Sequence, residues 1–333
     1  MATLSVAMAT YNGERFLQEQ LESLARQRRL PDELVVSDDG SSDGTLAILE
    51  AFAARSSFPV QITQNARQLG YGTNFLHATS LCRGDLIAFA DQDDVWMEDK
   101  LAHCIPFFAD SEVLLAIHAG KVVDENLQPL GFHHPSIRRT RVQRDRTMFE
   151  KTLPGFSMII RKEIPGLFHT PRAPNSHNGQ PMPHDLWAGI LAGVFGKVAF
   201  INEPLVYYRR HQKTFTTLTN FSTKDKIQLA QQSSAHLAYG DYASWYSKLE
   251  ESLLQIEIYG EPRETLRKTA VDCLRRRQKA FRQRAALYNS NQGFSARLGI
   301  FLQLLRQGLY GDPQKGNLAF SSFLKDSLRV CRG

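Results

Sequence analysis

The sequence predicts an α/β protein, with a mostly parallel central sheet flanked by helices over residues 1–220 and a helical region over residues 221–333. Two observations support this prediction. Short runs rich in β-branched residues alternate with helical patterns along the first hundred residues, which is typical of a parallel sheet covered on both faces. Beyond Thr223 the strand patterns disappear, and long helical patterns replace them.

The elements of the first hundred residues follow in order. Leu4 to Met8 predicts the first strand, and the amphipathic pattern from Glu14 to Arg26 predicts the first helix. Asp43 is expected to cap the next helix. Further strands are predicted over residues 33–37, 60–63 and 85–90, with a helix over 73–81. Ligands of such sheets bind beyond the carboxyl ends of the strands, so the residues that follow each strand are the first candidates for a site.

The next hundred residues show a mixed pattern. Strands are predicted over residues 113–117, 155–160, 198–201 and 205–208. Residues 172–184 are rich in Pro, Asn, Gly and His and predict a mobile loop. A domain boundary is expected near residue 220, where the strand patterns end.

The composition is that of a globular protein rather than a disordered, collagenous or disulfide-rich one, with 42% hydrophobic and 22% charged residues. The four cysteines are scattered without metal-ligand spacing, which indicates a reduced, cytoplasmic compartment. The longest apolar stretch, Leu186 to Ile201, is interrupted by Lys197 and is too short to span a membrane.

The net charge of +6 is concentrated near the C-terminus, where residues 262–310 contain eleven Lys and Arg but two acids. Such a segment is either a solvated helix face or a contact for an anionic partner. A nucleic-acid partner is not predicted, because neither interleaved aromatic residues nor a docking motif accompanies the charge. The open alternative is an anionic membrane surface on the inner face of the cell membrane.

Three acidic positions fall where the sheet predicts ligands. Residues 38–43 (Asp-Asp-Gly-Ser-Ser-Asp) follow the second strand, residues 91–94 (Asp-Gln-Asp-Asp) follow the strand at 85–90, and Asp185 begins a helix after the predicted loop. Carboxylates this close repel one another unless a cation compensates. Oxygen ligands favour a hard cation, so we expect Mg²⁺ or Mn²⁺.

The order and spacing of six short motifs resemble glycosyltransferase family 2, which has the GT-A fold. The motifs are Ala9–Asn12, Asp38–Thr45, Asp91–Trp96, Pro154–Met158, His184–Trp187 and Tyr208–His211. The later motifs are most similar to rhamnosyltransferases of bacterial surface polysaccharides. The resemblance covers residues 4–211 and implies a metal-dependent, inverting transfer of sugar. The implied donor is a UDP- or dTDP-sugar, with dTDP-L-rhamnose favoured by the branch. The implied acceptor is a glycan or a lipid-linked oligosaccharide.

The resemblance also implies roles for single residues. Thr10 and Tyr11 would line the pocket of the nucleotide base, and Asp39 would accept a hydrogen bond from a pyrimidine imide. Asp93 would bind the metal, and Asp91 would contact ribose or the metal and its water. The remaining implied roles are general base for Asp185, metal or diphosphate neighbour for His211, and phosphate contact for Arg209.

Less specific interpretations remain open at these positions. Residues 38–43 could be only a turn, and Asp185 could be only a helix cap. The motifs also depart from the family at Gln92, in the middle of the acidic motif, and at His184, where relatives often have Glu. A non-catalytic nucleotide- or carbohydrate-binding module is therefore the alternative function. A dinucleotide-dependent oxidoreductase or a nucleotidyltransferase is excluded, because the glycine-rich phosphate motifs are missing.

Overall fold

The computed structural model describes residues 2–151, 153–164, 182–211, 235–289 and 291–332, together with Leu167 and Asn175. The chain divides into two compact units, residues 1–168 with 183–214, and residues 169–182 with 215–333. The boundary predicted near residue 220 and most of the loop predicted over residues 172–184 lie outside the described residues.

The first unit alternates strands and helices in its first half. Its described strands are β1 (Leu4–Thr10), β2 (Glu33–Asp38), β3 (Val60–Gln64), β4 (Leu86–Ala90), β5 (Val95–Trp96), β6 (Val113–Val123), β7 (Pro129–His133), β8 (Arg141–Gln143), β9 (Met158–Arg161) and β10 (Lys197–Arg209). Its described α-helices are α1 (Glu14–Ala25), α2 (Thr45–Ala53), α3 (Tyr71–Leu81), α4 (Lys100–Cys104) and α5 (His184–Phe195).

All ten strands form one sheet in the order β3-β2-β1-β4-β9-β6-β10-β5, with β7 paired to β6 and β8 paired to β10. The strands β3, β2, β1 and β4 are mutually parallel. The antiparallel strand β9 separates them from β6 and β10, which are parallel to each other. Six strands (β1 to β4, β6 and β10) therefore run in one direction, which confirms the prediction of a mostly parallel central sheet.

The burial of the central strands explains why they could be predicted from the sequence. Every residue of β4 is buried, as expected of a strand covered on both faces. On α1, the apolar residues Phe16, Leu17, Leu21 and Leu24 are all buried, as the amphipathic pattern predicts. The N-cap of α2 is Gly44 rather than Asp43, but Asp43 accepts a hydrogen bond at 3.0 Å from the backbone N–H of Thr45, the first residue of the helix.

The strands after residue 90 differ from the prediction in several places. Strand β5 is not predicted, β6 continues to Val123 beyond the predicted end at residue 117, and residues 155–157 of the predicted strand 155–160 form a 3-10 turn before β9. The predicted strands 198–201 and 205–208 are one strand, β10, whose pairing with β6 is irregular around Pro204. Proline lacks the N–H that a ladder needs, so the sequence suggests an interruption where the strand only shifts register. Strand β7 is exposed along its whole length, and β8 has three residues. Leu130 and Phe132 alternate on β7, but Pro129 and Gly131 disfavour a strand, and β8 has a single apolar residue, Val142.

The second unit is helical over the residues described, as predicted. Its helices are α6 (Ala235–Gln255), α7 (Glu261–Tyr288), α8 (Phe294–Arg306) and α9 (Phe320–Arg332). None of the described helices in either unit is long and apolar enough to cross a membrane.

A buried polar network joins α7, α9 and the segment between α8 and α9. The carboxylate of Asp326 accepts hydrogen bonds from Arg284 at 2.9 Å, Tyr288 at 3.1 Å and Tyr310 at 2.7 Å. Arg277 is also buried, so the basic run of α7 is not wholly a solvated face. Its exposed members are Arg275, Arg276, Lys279 and Arg282.

Candidate active site

The candidate site lies at the carboxyl edge of the parallel strands of the first unit. Thr10 ends β1, Asp38 ends β2, and Asp91 follows β4 directly. Thr10 pairs with Asp38 in the ladder between β1 and β2, and its hydroxyl donates to the Asp38 carboxylate at 2.8 Å. The parallel arrangement thus brings residues that are far apart in sequence to one edge, as the alternation of strands and helices predicted.

Asp38 organises the turn after β2. Its carboxylate accepts hydrogen bonds from the backbone N–H groups of Gly40 at 3.2 Å and Ser41 at 2.8 Å. Gly40 has a φ of 83°, a left-handed conformation that favours glycine. Asp38 is fully buried and has this structural role, which leaves Asp39 as the carboxylate of this motif nearer the surface.

Asp39 holds the segment between β3 and α3. One carboxylate oxygen accepts from Asn65 Nδ2 at 3.0 Å and from Leu69 N at 2.7 Å, and the other accepts from Gly70 N at 2.9 Å. A carboxylate offers about four acceptor positions, so about one remains. The interaction predicted for Asp39 with a pyrimidine imide would use that remaining position.

Gln92 joins the first motif to the acidic motif after β4. Its side-chain oxygen accepts from Tyr11 N at 2.9 Å, and its amide donates to Tyr11 O at 3.1 Å. The backbone at Gly13 lies so close that an added Cβ would come within 2.4 Å of the Gln92 side-chain oxygen. The Tyr11 ring itself is exposed, where it can contact a ligand. The unusual middle residue of the acidic motif therefore has a positioning role.

Three carboxylates at this edge interact electrostatically. Burial, together with the negative charges of Asp93 and Asp185, raises the pKa of Asp91 to about 8. Asp185 thus faces the same space as the acidic motif, although it belongs to α5. Asp94 is fully buried, and its carboxylate oxygen Oδ1 accepts a hydrogen bond from Arg209 N at 2.9 Å. Burial and the charges of Asp93 and Asp91 also raise the pKa of Asp94.

The predicted metal ligands Asp93 and His211 contact each other, with His211 Nε2 at 2.8 Å from Asp93 Oδ2. No group of three or more His, Cys, Asp or Glu side chains is arranged to hold a metal ion within the described ranges. The metal site predicted from Asp93, Asp91 and His211 therefore stays a prediction.

Arg209 is buried and forms hydrogen bonds with the acidic motif. Its Nε donates to Asp93 O at 2.8 Å, its Nη1 donates to Glu125 O at 2.6 Å, and its Nη2 pairs with Glu19. The guanidinium also lies over the Phe16 ring at 4.5 Å. Each nitrogen of the guanidinium is thus engaged. This geometry favours a positioning role for Arg209 over the phosphate contact predicted from the sequence.

Asp185 lies in the first turn of α5, as predicted. One carboxylate oxygen accepts from Gly155 N at 3.1 Å, and the other accepts from Leu186 N at 2.7 Å. Burial raises its pKa to about 6, and these backbone hydrogen bonds partly oppose the rise. The group is mostly ionised at neutral pH but is a stronger base than an ordinary aspartate, which suits proton abstraction.

An aromatic stack supports Asp185. His184 is fully buried and stacks on Phe75, with ring centroids 4.1 Å apart and an angle of 16° between the planes. Burial lowers the pKa of His184 to about 3, so it stays neutral. A Cβ at Gly155 would lie 2.8 Å from His184 Nε2, so glycine is needed where the Pro154–Met158 motif passes this ring.

Two further residues of the site were not predicted. The Tyr71 ring meets His184 edge-on at 5.4 Å, and withdrawal of its hydroxyl from water together with the charges of Asp91, Asp185 and Asp93 raises its pKa. The position after a left-handed glycine, Gly70, at a strand-to-helix turn was the available signal for Tyr71.

Lys100 is the second residue that was not predicted. It is fully buried, donates to Phe156 O at 2.7 Å, and lies 3.4 Å from the centre of the Trp96 ring. Burial lowers its pKa to about 7, while Asp94 and Asp91 oppose the shift. No local pattern distinguishes Lys100 from a surface lysine, so only the packing shows its role.

Comparisons with known proteins identify the family of the first part of the chain. Residues 5–164 match the family model described as Glycosyl transferase family 2. The dTDP-rhamnosyl transferase RfbG of Shigella flexneri is 29% identical over 217 residues, which cover 62% of this chain and 72% of that protein. The abequosyltransferase RfbV of Salmonella typhimurium is 30% identical over 139 residues, 41% of each chain.

A similar fold occurs in a crystal structure of residues 1–349 of S. aureus TarS, with a TM-score of 0.53 at 18% identity, covering 93% of both chains. At this identity the likeness shows the fold alone, and it agrees with the GT-A fold predicted from the sequence. The family model, by contrast, spans every strand that contributes to the acidic edge except β10, which follows it. The chain therefore contains a glycosyltransferase family 2 domain over residues 5–164, and its fold is GT-A.

Proposed function

We propose that the chain is an inverting glycosyltransferase that moves a sugar from a nucleoside-diphosphate donor to a hydroxyl of a glycan or lipid-linked oligosaccharide. Among UDP- and dTDP-sugars, dTDP-L-rhamnose is the leading donor. The product would belong to a bacterial surface polysaccharide.

The observation that carries this proposal is the meeting of Asp91, Asp93 and Asp185 at one edge of the sheet, close enough for the latter two to raise the pKa of Asp91. The acidic motif and the helix that supplies Asp185 come from distant parts of the sequence. A general base beside an acidic motif is what a transfer from a diphosphate to a hydroxyl requires.

Asp185 would accept the proton of the acceptor hydroxyl as that oxygen bonds to the anomeric carbon. The bond between that carbon and the diphosphate oxygen breaks on the opposite face, and its electron pair leaves with the nucleoside diphosphate. The raised pKa of Asp185, about 6, makes it a better proton acceptor than an ordinary aspartate while it remains ionised at neutral pH. A single displacement inverts the anomeric carbon and needs no enzyme nucleophile.

Asp93, His211 and Asp91 would hold Mg²⁺ or Mn²⁺. The donor set fits a hard cation, since it offers two carboxylates and an imidazole. Burial and the charges of Asp93 and Asp185 raise the pKa of Asp91, and a bound cation would favour its ionised form. When bound, the cation would neutralise charge that develops on the diphosphate. The hydrogen bond from Arg209 Nε to the backbone carbonyl of Asp93 would keep Asp93 in position to bind the cation.

Thr10, Tyr11 and Asp39 would bind the nucleoside. The exposed Tyr11 ring offers an aromatic surface to the base, and Asp39 keeps about one acceptor position for a pyrimidine imide. Tyr71 would contact the sugar, because its phenol lies near the three carboxylates while 40% of the side chain is exposed. The name of the RfbG relative, a dTDP-rhamnosyl transferase, supports the choice of nucleotide and sugar.

The acceptor and the cellular location are proposed together. A lipid-linked acceptor would bring the enzyme to the inner face of the cell membrane as a peripheral cytoplasmic protein. The exposed basic residues of α7 would favour an anionic membrane surface.

A thermal-shift panel tests the donor site. Nucleoside diphosphates and nucleotide sugars are added with Mn²⁺ or with EDTA, and a ligand at 100 times its Kd should stabilise the protein by about 2.7 kcal/mol. We expect dTDP and UDP compounds to raise Tm only when the metal is present. In a separate assay with an acceptor, we expect one of the nucleotide sugars to be consumed. Binding without any turnover would favour the alternative, a non-catalytic nucleotide- or carbohydrate-binding module. No shift with any nucleotide would contradict the proposed donor site.

A further inference from the structure

Helix α9 exposes an apolar face. Phe320, Leu324 and Leu328 are spaced four residues apart, and 69%, 49% and 45% of their respective surfaces are exposed. Residues at this spacing lie on one side of a helix. Asp326 and Val330 on the other side are buried in the second unit. The helix is therefore held by one face, and its apolar face is exposed.

Helix α8 extends this face. Phe301 of α8 meets Phe323 of α9 with ring centroids 5.7 Å apart, and Phe323 stacks on Phe320 at 5.6 Å. Leu302 and Leu305 of α8 are also exposed. The exposed side chains of the two helices form what we call the α8–α9 surface: Leu302, Leu305, Phe320, Leu324 and Leu328.

The charge around the α8–α9 surface is positive. The two helices contain five basic residues and a single acid; Arg297 is buried, Arg306 is exposed, and Lys325 and Arg329 are half-buried. That acid, Asp326, is fully buried and paired with Arg284. Neither helix therefore has an exposed carboxylate, whereas Arg306 at the end of α8 is exposed.

We propose that the α8–α9 surface docks on an anionic lipid bilayer, with the Phe and Leu side chains among the acyl chains and the basic side chains at the headgroups. An apolar helix face flanked by basic residues has this preference, since apolar burial and attraction to anionic lipid act together. A second copy of the chain fits less well. It would bring two positive surfaces together without an exposed acid on either helix to pair with them.

This inference deepens the membrane partner of the proposed function and names the surface that makes the contact. The surface lies wholly in the second unit and includes no residue of the candidate active site. Vesicle binding can be measured without donor or acceptor. Failure of the docking surface and failure of the proposed transferase activity would therefore be distinguished.

The test is cosedimentation of the full chain with vesicles of phosphatidylcholine alone, or of phosphatidylcholine with an equal amount of phosphatidylglycerol. The variant carries Leu324→Glu and Leu328→Glu. The matched control is Leu130→Glu on β7, because Leu130 is 47% exposed and lies in the first unit. We expect wild type and control to bind the anionic vesicles. Each leucine substitution should lower the partition coefficient about 10-fold, so the double variant should bind about 100-fold more weakly.

Equal binding by the double variant and the wild type would overturn the proposal, as would equal binding to both kinds of vesicle. Sedimentation velocity without vesicles tests whether the α8–α9 surface binds a second copy of the chain instead. A wild-type dimer that the double substitution converts to a monomer, with vesicle binding unchanged, would assign the surface to a second copy. A monomer in both cases, with the expected loss of vesicle binding, would support the lipid surface.

Discussion

Replacement of Asp185 by asparagine should remove catalysis and the pH dependence of stability that this carboxylate causes. Asparagine keeps the size of the side chain but has a single acceptor oxygen, so it loses one of the hydrogen bonds from Gly155 and Leu186, and it cannot accept a proton from a hydroxyl. Loss of a general base costs about 10²–10⁴-fold in turnover. Donor binding should change little, because Asp185 contacts the acceptor in the proposed mechanism.

The pH dependence of the free energy of unfolding follows from the pKa of Asp185. Burial raises the pKa of Asp185 from 3.8 to about 6, so the folded protein holds a proton that the unfolded chain has released between these values. The free energy of unfolding therefore falls as pH rises from about 4 to 6, and the full penalty is present at pH 7. A shift of about 2 units corresponds to at most about 3 kcal/mol. The Asp185→Asn variant avoids this penalty because its side-chain amide does not ionise.

The assay compares wild type with Asp185→Asn over pH 5 to 8 in acceptor-dependent release of nucleoside diphosphate and in thermal unfolding. Wild-type kcat/KM should rise with pH and be half-maximal near pH 6, since only ionised Asp185 accepts the proton. The variant should show little activity at any pH, and its Tm relative to wild type should increase from pH 5 to pH 7. Wild-type activity in the variant, or a Tm difference that does not change with pH, would refute the assigned role.

Two other substitutions test the rest of the site. Asp93→Asn should abolish the metal-dependent rise in Tm with dTDP or UDP, whereas Asp99→Asn, an exposed acid nearby, should not; an unchanged metal response in Asp93→Asn would contradict the ligand assignment. Gly155→Ala should lower stability by about 1–3 kcal/mol and reduce turnover, because its Cβ would press on His184 at 2.8 Å. Gly299→Ala, with open space around its Cβ, should be neutral or stabilising, and an equal loss there would contradict this reasoning.

The central strands β1, β2 and β4 were predictable because their burial leaves largely apolar runs, whereas β3 is only half-buried. The observed β1, β2, β3 and β4 agree with the predicted strands to within two residues at each end. Strand β7 was not predicted, because Pro129 and Gly131 disfavour a strand and all five of its residues are exposed. Strand β10 was divided in two because Pro204 interrupts its pattern but not its pairing.

The acidic positions of the site were predictable for a related reason. In a parallel sheet, residues that follow successive strands meet at one edge, so Asp39, Asp91 and Asp93 could be assigned to it from order alone. The supporting residues were not predictable. Lys100 and Arg209 have ordinary local sequences, and only the long-range contacts of their buried side chains show that they hold neighbouring backbone segments.

The anomeric configuration of the product tests the central claim most directly. The donor selected by the thermal-shift panel is incubated with the enzyme, Mn²⁺ and a set of synthetic glycan acceptors, and the new linkage is assigned by NMR. One displacement with Asp185 as base predicts a linkage of configuration opposite to that of the donor, and no product from Asp185→Asn. A product that retains the donor configuration would contradict the account, because retention requires a second displacement for which the proposed mechanism has no nucleophile.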